Sequence, residues 1–340
     1  MANKKPTMKD VAREAGVALG TVSKVFNGIA VGKAYRDRVE AAAARLGYSV
    51  DNYARGLRSG RTSTIAMIVP GLDHSFFSLL ANAVSYELLL RDYRLILATT
   101  QFDPHAEEHC IQMVRQNKVD GIIGLTYTAD LKISETLPYV SIDRIISPDI
   151  PCVSSDNFSG GAMAARKLME LGCRKLLVLR IGSSVIGETD KRGAGFQAAC
   201  GMAGTEAFSL RVNDEDGAEA IFSFLDDHIR NGRPEYDGIF CSTDRLAFFV
   251  RRHLERRGIR VPEDVQLIGY DGTRHFFTGD YVCSTIVQPV QQMAEAAVRI
   301  LLNEEQYRLS ALVCLPVSYA PGGTTREPAV SGEGLVNYGK

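Results

Sequence analysis

Several short runs of this sequence close on side chains that can bind hydroxyl groups. YVSID (139–143) ends in Asp143, with Arg144 next, and VQLIGYD (265–271) ends in Asp271. RGAGF (192–196) opens on Arg192. GIFCST (238–243) carries Phe240 and ends in Thr243, with Asp244 behind it. The pair Phe76-Phe77 follows the apolar run IAMIVP (65–70). Carboxylates accept hydrogen bonds from hydroxyls, and a guanidinium fork donates them. An aromatic face covers the C–H side of a ring, so the mixture suits a sugar. Some of these residues have an equally good structural use: Asp244 and Asp156-Asn157 as helix caps, and Phe77 as core, with Phe76 facing the ligand. Catalytic signatures are missing. There is no Walker loop, G-x-S-x-G or H-E-x-x-H, and GAGF lacks the spacing of a dinucleotide fingerprint. Six scattered histidines and seven cysteines without a CxxC pair give neither a metal pattern nor a disulfide framework. Free thiols fit a reducing cytoplasm. The expectation is a non-enzyme with no cofactor and no metal.

A second chemistry lies at the N-terminus. Residues 1–61 carry twelve Lys or Arg against five acids, a local charge of +7 in a chain whose total is −1. The remaining residues therefore sum to −8. A basic head on an acidic body directs the head alone toward a polyanion. Thr7-Met8-Lys9-Asp10 is a capping-box pattern that starts a helix, with Val11, Ala12 and Ala15 on one face. Gly16 suits the left-handed residue that ends it. A second helix is expected over Leu19 to Phe26, with Val22, Val25 and Phe26 as its stripe. Asn27-Gly28 is a turn signal. A third runs from about Arg36 to Leu46, with Val39, Ala42, Ala43 and Leu46 inward. Three short helices with a tight first connection make a helix-turn-helix, whose second helix enters the major groove; the bland alternative is a plain three-helix bundle. The candidate readers are Leu19, Gly20, Thr21 and Lys24. Lys24 can donate to guanine, and Leu19 can touch a thymine methyl. Thr21 and Ser23 suit phosphates or backbone caps. Thr7 and Asn27 complete the candidate DNA-binding set.

The run MKDVAREAGVALGTVSKVFNG, with the later RDRVEAAAARLGYSVDNYARGLRSGRTSTIAMIVP, resembles the lactose-repressor/galactose-repressor (LacI/GalR) family, and the resemblance extends over nearly the whole chain. It implies a helix-turn-helix domain over 1–50, a hinge helix and linker over 51–61, and an effector-binding and dimerisation domain over 62–340. In the hinge, Leu57 matches the family's minor-groove wedge, with Tyr53, Ala54 and Arg58 beside it. A helix this short, carrying Gly56, forms only with DNA and a partner hinge. Two departures stand out. Ala18 replaces the family's usual Ser at the start of the second helix, removing a cap worth about 1 kcal/mol. The reading pair is Leu19-Gly20, so operator preference does not transfer from other members.

From residue 64 onward, apolar runs alternate with helical stretches. Strands are expected at 65–70, 95–100, 121–126, 139–143, 175–180, 238–243 and 265–271. Helices are expected at 76–91, 105–117, 158–171, 190–203, 215–230 and 244–257. Alternation of this kind predicts an α/β fold of doubly wound parallel sheets, with ligands beyond the carboxyl ends of the strands. The resemblance implies two periplasmic-binding-protein-like lobes, the first about 62–156 and 289–317, the second about 157–288 and 318–328. It also assigns Arg192 to the family's R-x-x-G-F signature, where the Arg grips the effector, and Asp271 to effector hydroxyls. The expected protein is a homodimeric regulator of carbohydrate genes, binding operator DNA and a small-molecule effector, with no membrane partner. The dimer surface would include helix 76–91. The Gly-rich tail has no leucine heptad for a tetramer. A purine corepressor, a phosphoprotein partner or a plain sugar-binding role remain as alternatives.

Overall fold

The structure is a computed structural model that describes residues 6–26, 28–48, 62–128, 131, 133, 137–182, 186–213, 217–303 and 311–326. The chain divides into two compact units, Met1–Thr62 and Ser63–Lys340. Among the described residues, no helix is long and apolar enough to cross a membrane.

The first unit holds helices α1 (Met8–Ala15), α2 (Leu19–Phe26) and α3 (Lys33–Leu46). The Thr7 side chain accepts from the Asp10 N–H, and the Thr7 N–H donates to Asp10 Oδ2 at 2.9 Å, which closes the expected capping box. Gly16 ends α1 at φ +61, a conformation only glycine reaches without strain. Val11, Ala12, Ala15, Val22, Val39, Ala42 and Ala43 make the core. α3 begins three residues before the expected Arg36, and its N-cap, Gly32, supplies no side-chain hydrogen bond.

The second unit contains two six-stranded sheets. In chain order the strands of the first are β1 (Thr64–Val69), β2 (Arg94–Thr99), β3 (Gly121–Gly124), β4 (Tyr139–Ile142) and β5 (Cys152–Ser155). Helices α4 (Ser75–Leu89) and α5 (Pro104–Gln116) alternate with them. The chain then leaves for the second sheet through α6 (Asn157–Glu170), β6 (Lys175–Gly182), α7 (Lys191–Ala203) and β7 (Glu206–Asn213). It continues through α8 (Glu219–Asp227), a small hairpin of β8 (Ile229–Arg230) and β9 (Arg233–Pro234), β10 (Gly238–Cys241), α9 (Asp244–Arg256), β11 (Gln266–Asp271) and β12 (Thr285–Val287). Helix α10 (Val290–Leu301) and β13 (Leu312–Leu315) return to the first sheet, and β14 (Ser318–Ala320) joins the second.

The first sheet runs β2-β1-β3-β4-β5-β13 and is parallel throughout. The second runs β7-β6-β10-β11-β12-β14, with only β14 antiparallel. Both sheets are covered on two faces, which is why β1, β10 and β11 are buried along their length and show no alternation. In the first lobe, Ile65, Met67 and Ile123 pack under α4 and α10, while Ala66, Ile68 and Ile122 pack under α5. In each sheet the order reverses beside the first strand. There the carboxyl ends open a crevice, where such folds bind ligands.

A helix was expected at 215–230; among its described residues Glu219–Asp227 are helical, and the next residues turn into the hairpin. Strands β5, β12, β13 and β14 have three or four residues each, too few to show a period. β7 is an edge strand with mixed exposure.

Candidate functional site

In the head, the exposed edge of α2 carries Leu19, Gly20 and Lys24, with Thr21 and Ser23 half-buried beside them. Val22 points inward and is fully buried. No heavy atom lies within 4 Å of a Cβ built on Gly20, so the reading edge has an open notch. Thr7 is exposed, but its hydroxyl donates to Asp10 Oδ2 at 2.7 Å. Asn27, Tyr53, Ala54, Leu57 and Arg58 lie outside the described residues. One residue that local patterns miss is Arg38. Its Nη2 donates to the carbonyls of Ala15 at 2.6 Å and Gly16 at 2.9 Å, locking the turn that aims α2. These are carbonyls at the C-terminus of α1, where a cation is also favoured by the helix dipole.

The second unit has a cleft of about 640 Å³ between its two sheets. Phe76, Phe77, Asp143, Arg192, Thr243 and Asp271 all line it. Phe76 and Phe77 serve as both wall and core, being buried in the first-lobe cluster as well. Asp143 and Asp271 sit at strand ends with φ +55 and +127. The second value is a region that side chains rarely enter, and such strain persists where surrounding contacts impose it. Asp143 Oδ1 accepts from Ser154 Oγ at 2.7 Å, and Asp271 Oδ1 accepts from Gln288 Nε2 at 2.8 Å. The other Asp271 oxygen, Oδ2, is buried without a hydrogen-bond partner. Burial pushes both carboxyls above the usual range, and Arg192 opposes this in each.

Arg192 is held from four sides. Nε donates to Asn157 Oδ1 at 2.7 Å and Nη1 to the Ser242 carbonyl at 2.7 Å. Nη1 lies 3.8 Å from Asp271 Oδ1, and the guanidinium lies 3.6 Å from the centre of the Tyr270 ring. The rest of its motif is structural. Gly195 meets the Phe158 backbone, and Phe196 stacks on Phe240 at 5.4 Å.

Two expected ligands are corrected. Phe240 is fully buried between Phe196 and Tyr270, in the core under α6 and α7, and does not line the cleft. Arg144 turns from the cleft and donates to the Thr126 carbonyl at 3.4 Å. Thr243 does line the cleft, but its hydroxyl caps α9, accepting from the Leu246 N–H at 3.2 Å, so the cap is Thr243 and not Asp244. Asp156 caps α6 through the Ser159 N–H at 2.9 Å. The reading of residue types missed His74, Tyr127, Arg180, Arg245 and Gln288 on the wall. Arg180 and Gln288 could have been suspected as the polar residues closing or following apolar runs. His74 accepts from the Phe76 N–H through Nδ1 at 3.3 Å, so a neutral ring carries its proton on Nε2, which lies 3.8 Å from Asp271 Oδ2.

Asp244 lies behind this wall. It accepts from the Thr273 N–H and from Thr285 Oγ1, both at 2.6 Å. Burial, with the field of Asp271, pushes its pKa up to about 7. The folded value exceeds the unfolded one, so its contribution to stability is full below about pH 4 and is lost as pH rises to about 7. Asp244→Asn is expected to flatten that dependence. Wild type should lose about 2 kcal/mol between pH 5 and 7, and the variant much less. Urea unfolding at the two pH values decides it, and equal losses in both proteins remove Asp244 as the titrating group.

A basic three-helix head and a two-lobed sensor with a polar cleft define a DNA-binding transcriptional regulator. The family model for bacterial regulatory proteins of the lacI family matches residues 7–51, and that for periplasmic binding proteins and the sugar-binding domain of the LacI family matches 62–301. The chain is 33% identical to the sucrose operon repressor of Streptococcus mutans, over 87% of this chain and 92% of that protein. It is 31% identical to the ribose operon repressor of Bacillus subtilis, over 94% and 99%. A solved complex of the transcriptional regulator CelR with cellobiose covers 94% of this chain and 99% of that one, at 26% identity and TM-score 0.66. The chain belongs to the LacI family of bacterial regulatory proteins.

Proposed function

We propose that the protein is a cytoplasmic repressor of carbohydrate-utilisation genes that binds a two-fold operator as a homodimer and is controlled by a sugar in the cleft. The observation that carries the effector reading is the meeting of Asp143, Arg192 and Asp271 on one wall, with an Asp271 oxygen still lacking a donor. The relatives named for sucrose and ribose operons support the substrate class. The proposed division of labour places DNA binding in 1–50, the hinge in 51–61 and sensing in the rest. The sensor's first lobe would be 62–156 with 289–317, and its second 157–288 with 318–328.

Leu19 and Lys24 read bases beside the open notch at Gly20, while Thr7, Thr21, Ser23 and Asn27 hold the backbone. Leu57 enters the minor groove at the operator centre, and Tyr53, Ala54 and Arg58 bind DNA beside it. A dimer is supported by exposed apolar side chains on both lobes: Leu79, Tyr86 and Leu89 along α4, and Phe276 with Phe277 in the second. Lys24→Ala is expected to weaken specific binding by about 1–3 kcal/mol. Gel-shift titration against operator and random DNA tests this. An unchanged ratio of the two affinities removes Lys24 as a reader, and full operator binding by residues 63–340 alone would defeat the whole reading.

A further inference from the structure

We infer that the cleft is built for an uncharged polyhydroxy effector and discriminates against its phosphorylated counterpart. The inference rests on the cleft being the effector site and concerns what that site accepts. Three guanidiniums lie on the wall, and each already faces a carboxylate. Arg180 pairs with Asp190, Arg192 lies 3.8 Å from Asp271, and Arg245 donates to Asp73 at 2.8 Å. Arg211 shares Asp190 at 3.5 Å and also donates to Asn213 Oδ1 at 3.0 Å. Asp143 adds a fourth carboxylate, buried on the same wall. Among the described residues the wall thus has no excess of positive charge to balance a phosphate.

Helix N-termini are the other common phosphate seats, because their first N–H groups lack partners. Of the four helices whose N-terminal residues line this cleft, α4 and α9 are capped by side chains, and α7 and α8 are not. His74 Nδ1 takes the Phe76 N–H, and Thr243 Oγ1 takes the Leu246 N–H. Asp271 Oδ2 is buried without a hydrogen bond, with His74 Nε2 3.8 Å away, a costly state that a ligand hydroxyl relieves and a phosphate oxygen, itself an acceptor, aggravates. Phe76, Phe77, Phe102 and Tyr127 supply apolar faces for the C–H side of such a ring.

The test uses the full chain and matched pairs in isothermal titration calorimetry: sucrose with sucrose 6-phosphate, fructose with fructose 6-phosphate, and ribose with ribose 5-phosphate. At least one uncharged member should bind, with its phosphate at least tenfold weaker. Equal or tighter binding of the phosphate, or no binding by any uncharged member, overturns the inference. Asp73→Asn unpairs Arg245 at an exposed position and should narrow the discrimination at least threefold; an unchanged ratio overturns the charge-matching argument. Failure of the underlying site has a different signature, since uncharged sugar would then bind Asp271→Asn as tightly as wild type.

Discussion

Arg192→Ala is expected to give a protein that holds its operator with wild-type affinity and no longer releases or tightens on it when effector is added. The head is a separate compact unit with its own core, so a change at the cleft leaves its DNA-reading edge intact. In the second unit Arg192 ties together Asn157 on α6, the Ser242 carbonyl after β10 and Asp271 at the end of β11. Hydrogen bonds made by a charged group contribute about 1.5–3 kcal/mol each. Losing the guanidinium also leaves Asp271 and Asp143 buried without their compensating charge, a change that costs about 3–5 kcal/mol. Effector affinity should therefore fall at least ~100-fold, since every 1.4 kcal/mol is about tenfold. The melting temperature of the second unit should fall as well. Stability and recognition separate in the double variant Arg192→Ala/Asp271→Asn, which removes the uncompensated charge. It should regain much of the lost stability and none of the response. Calorimetry with the effector and gel shifts with and without it decide the matter. A normal effector response in Arg192→Ala would take this residue out of the site.

Asp143, Arg192 and Asp271 were legible because each closes or opens a recognisable run, and strand ends are where this fold class places ligands. The head was legible for a similar reason: Thr7 with Asp10, and Gly16, act within one helix. Arg38 was not, because it serves carbonyls 22 and 23 residues away. Phe240 was misplaced for a reason inherent in parallel sheets. Ile239 faces the core under α8 and α9, and Phe240 faces the core under α6 and α7. Both faces are apolar cores and the cleft lies beyond the carboxyl end of the strand, so Ser242 and Thr243 reach it and Phe240 does not. Arg144 lies past the end of β4, after the turn at Asp143 with φ +55, so the strand pattern does not give its direction. His74 and Gln288 come from different lobes and belong to no motif. Only the folded chain brings both to Asp271.

Gly195→Ala and Gly201→Ala should have opposite effects, although both lie in α7 and both add one methyl group. A Cβ on Gly195 would stand 1.9 Å from the carbonyl oxygen of Phe158, which is backbone in α6 and cannot swing aside. The contact is reciprocal, because a Cβ on Gly161 of α6 would stand 1.8 Å from the carbonyl oxygen of Arg192. Alanine at 195 must therefore push α6 and α7 apart. Overpacking of this kind costs about 1–3 kcal/mol and occasionally more, and the rigid backbone on both sides puts this site at the upper end. The separation also shifts the turn of α7 that carries Arg192, so effector affinity should fall with stability. A Cβ on Gly201 meets nothing within 4 Å. There alanine only raises helix propensity, stabilising by up to about 1 kcal/mol. Thermal melts of the two variants give the sign directly, and a destabilisation of equal size in both would mean that the α6–α7 approach is not what requires glycine at 195. Opposite signs would account for the motif that first marked the site: its Arg lines the cleft, its Phe fills the core, and its Gly lets two helices approach closely enough to hold that Arg in place.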